Sequence, residues 1–92
     1  MISVAAQLNF PNESSRDYAV KRSIRVQLAT RENEAGCHAC CFSTDPCDAL
    51  SIPVYEPWSD SETLVSHFYH VNYQDMLLVS SEAGVLEGRN RA

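Results

Sequence analysis

A chain of 92 residues and 10.3 kDa, 45% hydrophobic and 21% charged, has the composition of one small folded domain, not of a disordered segment. Its net charge of −5 argues against a surface devoted as a whole to nucleic acid or anionic lipid. A domain of this size buries roughly 60–70% of its unfolded surface, which predicts one small core and little room for a deep active-site cavity.

In chain order, Ile2, Val4, Ala6, Leu8 and Phe10 alternate with Ser3, Ala5, Gln7 and Asn9. That is the period of a half-buried strand, ended by Pro11-Asn12-Glu13-Ser14-Ser15. The same opening has no basic start and no unbroken apolar run, so no signal peptide is expected. Nothing approaches the roughly 18 apolar residues of a membrane span, and a cytoplasmic location with no membrane partner is expected. The segment from Tyr18 to Thr30 contains Ser23-Ile24-Arg25-Val26-Gln27-Leu28, again alternating, which predicts a second strand with Ile24, Val26 and Leu28 inward. A turn over Arg31 to Gly36 then leads into a short third strand over Cys37 to Ser43, paired with the second as a hairpin.

Residues 44–58 carry Pro46, Pro53 and Pro57 and resist regular structure. Asp45-Pro46 can start one helical turn, and the rest reads as an extended, irregular path. Ser59-Asp60-Ser61-Glu62 matches a capping box with Ser59 as the cap. Leu64, Phe68 and Val71 follow at helical spacing with Val65 beside them, and Asn72 can close this helix. Met76-Leu77-Leu78-Val79 reads as a central strand, and Ser80 to Gly84 turns it into a last strand over Val85-Leu86-Glu87. The order β-β-β-α-β-β predicts a single α+β domain over residues 1–92. It would consist of an antiparallel β-sheet of four to five strands with one main helix packed on one face.

The charges are segregated. Between Glu32 and Glu87 every charged residue is acidic, while Arg16, Lys21, Arg22, Arg25 and Arg31 precede that block. Such segregation either cancels on folding through ion pairs or leaves separate patches on the surface. Six of the seven basic residues are Arg, the type favoured at interfaces for its planar donors. Arg16, Lys21, Arg22, Arg25 and Arg31 are therefore candidate partner-binding residues. Tyr55 and Trp58, in the proline-rich loop, join them as candidate contact aromatics, with core packing as their alternative role.

Cys37, Cys40, Cys41 and Cys47 are clustered and lack an export signal, which points to reduced thiols. No metal site or cofactor is expected. The alternative is a zinc-stabilised adaptor that draws on this cluster with Cys37, Cys40, His67 and His70 as ligands. Two features oppose it: the spacing matches no common zinc module, and a strand over 37–43 would send Cys37 and Cys40 to opposite faces. His67 and His70 are expected to be exposed on a solvated helix flank. No nucleophile motif, phosphate loop or metalloprotease signature is present, so no catalytic residue is assigned and no small-molecule substrate is expected.

A minimal acidic α+β domain with segregated charge and no catalytic signature points to a non-enzymatic interaction protein that covers a functional surface on a larger protein or ribonucleoprotein. The profile resembles phage-encoded anti-CRISPR inhibitors. Ser59-Asp60-Ser61-Glu62 opening a helix with Phe68-Tyr69 is similar to arrangements among the inhibitors of type I systems. The resemblance implies evasion of antiviral defence by binding Cas proteins with guide RNA and blocking target DNA recognition. On that reading the five basic residues would contact guide RNA or protein.

Overall fold

The computed structural model describes residues 1–90, with side chains over 1–86. It is an α+β fold: helices packed on one face of a four-stranded antiparallel sheet. The chain runs β1 (Ile2–Asn9), α1 (Glu13–Asn33), β2 (Cys41–Phe42), β3 (Ser51–Trp58), α2 (Ser61–Phe68), α3 (Val71–Glu82) and β4 (Glu87–Asn90), and the strand order is β2-β3-β1-β4.

β1 forms where its alternation predicts and sits inside the sheet, pairing β3 over its full length from Ile2 opposite Trp58 to Asn9 opposite Ser51. On its other side, Ala6 to Asn9 pair with β4.

The segment expected as a second strand is instead the 21-residue helix α1. Asn12 caps it, its side chain accepting a 2.8 Å bond from the Ser15 N–H. Its buried residues are Arg16, Ala19, Ser23, Val26 and Thr30, spaced by alternating threes and fours along one helical face. Of the three residues expected to point inward, Val26 does so, while Ile24 and Leu28 are exposed. The helical stripe is built from small and polar side chains, so an apolar count misses it. Its hydroxyls are satisfied within the helix: Ser23 Oγ donates to the Val20 carbonyl and Thr30 Oγ1 to that of Val26, at 2.7 and 2.9 Å.

β3 forms despite two prolines. Pro57 turns its carbonyl away from β1, to the His38 N–H at 3.0 Å, and the two-residue period gives Pro53 the same orientation. Their missing N–H groups therefore fall on the side that β2 covers only at Tyr55 and Val54. β2 is the sheet edge, and α1 closes it. Gln27 Nε2 donates to the Phe42 carbonyl at 2.9 Å, and the Phe42 N–H donates to Gln27 Oε1 at 3.1 Å, in place of a neighbouring strand.

The expected single main helix is two helices. Asp60, not Ser59, caps α2 in a reciprocal capping box with Thr63. α2 ends at Phe68, and the His70 ring caps α3 by accepting the Asn72 N–H at 3.0 Å. Asn72 therefore begins a helix and does not close one. Met76-Leu77-Leu78-Val79, expected as a strand, lies within α3 with Met76 and Val79 buried and Leu77 and Leu78 exposed, the split a helix produces from a continuous apolar run. Asp45-Pro46 forms a tight turn, with the Cys47 N–H on Asp45 Oδ1 at 2.8 Å, not a helical turn.

One core cluster joins Phe10, Ala19, Ile52, Val54 and Ala83, a second joins Val26, Met76 and Val79, and Phe42 packs against both. Of the turn predicted over Arg31 to Gly36, the first three residues continue α1, and the turn that forms over 34–36 depends on Gly36, whose φ is +86° and where a Cβ would come 2.6 Å from Thr63.

Candidate functional site

Between the sheet and the helices lies a cavity of about 700 Å³. Val4, Ala6 and Leu8 of β1, Val26 of α1, Val54 of β3 and Met76 of α3 supply much of an apolar wall. The expectation of little room for a cavity is corrected. Small side chains such as Ala6 and Val26, where α1 crosses the sheet, leave the two layers incompletely filled.

At one end the wall turns polar. The alternation that buries Ile52, Val54 and Trp58 of β3 also brings Glu56 to the helix-covered face. His67, in the last turn of α2, lies over the Trp58 ring with centroids 4.7 Å apart, and Tyr73 meets it edge-on at 5.4 Å. Glu34, the C-cap of α1, swings its carboxylate beneath the α2–α3 junction. His67 Nδ1 lies 2.7 Å from Glu34 Oε1, and Asn72 Nδ2 donates to Glu34 Oε2 at 3.0 Å. A carboxylate only accepts, so Nδ1 carries the hydrogen and Nε2 is the nitrogen free to exchange a proton. Nε2 stands 3.6 Å from Glu56 Oε1. A carboxylate at a helix C-terminus opposes the dipole, and here the imidazole and the Asn72 amide offset that cost.

Burial pushes the Glu56 carboxyl above its ordinary value, opposed by the adjacent His67 and by contacts from Cys40 and Trp58. The Cys40 thiol donates to Glu56 Oε2 at 3.5 Å. Burial, and then the Glu56 charge, raise the Cys40 thiol far above its ordinary value, and burial raises Cys37. Both shifts favour the protonated thiol, the form least suited to nucleophilic attack.

The alternative zinc set does not assemble. Among the described residues no group of three or more His, Cys, Asp or Glu is placed to hold a metal ion. Cys37 turns to the Ala39 carbonyl, Cys40 to Glu56, His67 to Glu34, and His70 caps α3. His67, expected in solvent, is 4% exposed because the short α2 lies directly on the end of β3, whereas His70 is half-buried.

The five candidate basic residues, Arg16, Lys21, Arg22, Arg25 and Arg31, lie on different sides of α1, Arg31 in its last turn. Arg16 is buried, reaching Asp17 at 2.9 Å and the Asp48 and Ser51 carbonyls at 3.0 and 3.3 Å. Arg31 clamps the Cys40 carbonyl at 3.1 and 2.6 Å. Arg22 and Arg25 face α3 carboxylates, Glu82 at 3.8 Å and Asp75 at 3.7 Å, and Lys21 lies exposed beside them. Tyr55 is exposed on the sheet face away from the helices, and Trp58 is fully buried under His67.

No protein-family model matches the sequence, and no curated protein is similar to it. Solved structures are similar in fold. A proposed antibiotic biosynthesis monooxygenase from Deinococcus radiodurans superposes with a TM-score of 0.85 at 15% identity, over 99% of this chain and 88% of that one. One from Caulobacter crescentus CB15 gives 0.85 at 13% identity, over 97% and 83%. A structure named antibiotic biosynthesis monooxygenase gives 0.76 at 18% identity, over 98% and 94%.

These neighbours overturn the anti-CRISPR resemblance. Together with the cavity they correct the reading of a phage-encoded, non-enzymatic inhibitor that evades antiviral defence through Cas proteins and takes no small molecule. Segregated charge led to that reading. In the folded chain four of the five basic residues of α1 contact groups of the chain itself.

Proposed function

We propose that this chain, as a single domain, is a small-molecule enzyme of the monooxygenase type in which His67, held by Glu34, removes a proton from an apolar substrate in the cavity. The observation that carries it is the 2.7 Å His67–Glu34 contact, which leaves Nε2 at the polar end of an otherwise apolar chamber. A volume of about 700 Å³ suits an organic molecule of two or three fused rings. The names of the fold neighbours add oxygen as the co-reactant.

The chemistry is that of an acidic methylene beside a carbonyl. Its proton passes to His67 Nε2, and the resulting carbanion adds O2 to form a hydroperoxide after protonation. Loss of water then leaves a new carbonyl, so one oxygen atom enters the product and the other leaves as water. Glu34 is a positioning residue that fixes the ring and its tautomer from outside the cavity, and Asn72, which also lines the cavity, holds the Glu34 carboxylate in place. Four free cysteines fit a reducing compartment such as the cytoplasm, and no helix among the described residues is long and apolar enough to cross a membrane.

The test uses 2-tetralone, a two-ring ketone with an acidic methylene. Protein in air is expected to consume O2 and to place one atom from 18O2 in the product, with His67→Ala slower by about a hundredfold or more. Oxygen uptake no faster than in His67→Ala would overturn the reading.

A further inference from the structure

We infer that Glu56 and His67 work as an acid–base pair that interconverts the keto and enol forms of an apolar ketone in this cavity without oxygen. The inference rests on the reading of His67 as the base and adds to it a second reacting group and an activity that needs no O2.

Three observations support it. Glu56 and His67 both line the cavity, whereas Glu34 reaches His67 from the Asn72 side and does not line it. The facing atoms, His67 Nε2 and Glu56 Oε1, are 3.6 Å apart, too far for a good direct hydrogen bond but close enough for both to reach neighbouring atoms of one ligand. The Glu56 carboxyl is buried and pushed toward its protonated form, so it can donate a hydrogen bond to a carbonyl oxygen.

The cycle balances within the pair. His67 Nε2 takes the proton from the carbon beside the carbonyl as Glu56 gives its proton to the carbonyl oxygen. A C=C bond forms, the C=O bond becomes C–OH, and the enol leaves. The imidazolium then returns its proton to the Glu56 carboxylate, which restores both groups. The substrate class is an enolisable ketone with apolar rings, since the rest of the chamber offers mainly hydrocarbon contact.

The experiment follows exchange of the 2-tetralone methylene protons for deuterium by NMR, in D2O under anaerobic conditions, with the whole chain. Exchange catalysed by the unmodified protein is expected to fall about a hundredfold in Glu56→Gln and to recover in part in Glu56→Asp, which keeps the acid. No catalysed exchange, or equal exchange in Glu56→Gln, would overturn the inference. Failure of the ketone to bind would overturn it too, because the apolar chamber is its premise. Oxygen uptake without Glu56-dependent exchange would leave the monooxygenase reading standing and remove this one. Glu56-dependent exchange without oxygen uptake would do the reverse.

Discussion

His67 Nδ1 and Glu34 Oε1 stand 2.7 Å apart with both side chains 5% exposed, joining the end of α1 to the end of α2 across 33 residues of chain. Removing one member of such a buried pair strands the other away from water. Glu34→Ala leaves the Nδ1–H of a neutral imidazole unpaired and is therefore expected to destabilise the fold by about 1–3 kcal/mol. Urea unfolding measures it, and a loss below about 1 kcal/mol would show that water already reaches the pair.

Glu56 gives stability a definite pH dependence. Its carboxyl titrates above its ordinary value in the folded chain, first because of burial. The stability linked to its protonated form is therefore complete below the unfolded glutamate value and is lost as pH rises through the raised one. Glu56→Gln cannot ionise, so its urea midpoint should gain on that of the unmodified protein between pH 4 and pH 8. A constant difference across that range would contradict the assignment.

The cavity can be filled from β1. Ala6→Phe would place a ring among Leu8, Val26 and Val54. Uptake of 2-tetralone should weaken at least about tenfold, or roughly 1.4 kcal/mol, with the thermal midpoint kept. Unchanged affinity would place ligand binding elsewhere.

The basic residues of α1 should behave unequally. Arg16→Ala removes hydrogen bonds that a buried guanidinium donates to the Asp48 and Ser51 carbonyls, a loss of about 1.5–3 kcal/mol. Arg22→Ala and Arg25→Ala break exposed contacts of 3.8 and 3.7 Å and should cost about 0–1 kcal/mol. Equal losses by chemical denaturation would contradict this division.

Gly36 has a positive φ and no space beyond its Cα, with Thr63 2.6 Å from where a Cβ would sit. Gly36→Ala should cost about 1–3 kcal/mol and loosen the joint between α1 and α2. A thermal midpoint equal to that of the unmodified protein would show that this turn has another conformation open to it.

Local pattern sufficed for β1, for the turn at Gly36 and, within one residue, for the start of α2. In each, neighbouring residues supply the deciding interaction: alternation, a glycine in a turn, or a carboxylate on nearby N–H groups. The α+β class follows from the expected order β-β-β-α-β-β, and it holds although the observed order is β-α-β-β-α-α-β. Ile24, Val26 and Leu28 misled because six alternating residues fit a strand, while the true period of α1 runs through Arg16, Ala19, Ser23, Val26 and Thr30. One signal of the site was legible in principle, the carboxylate Glu56 in step with Ile52, Val54 and Trp58, but Pro53 and Pro57 hid the strand that carries it.

Sequence by itself determined the class of fold, the first strand, a break in the chain ahead of β2 and the presence of acidic and imidazole groups. Only the tertiary structure decided that Glu34, Glu56, His67 and Asn72, from four separate places along the chain, meet at one end of an apolar chamber. A charged side chain is read as solvated until something distant removes its water. The packing of α1, α2 and α3 on β3 does that here, and with it sets which nitrogen is free, which carboxyl burial pushes above its ordinary value and which arginines are occupied within the fold.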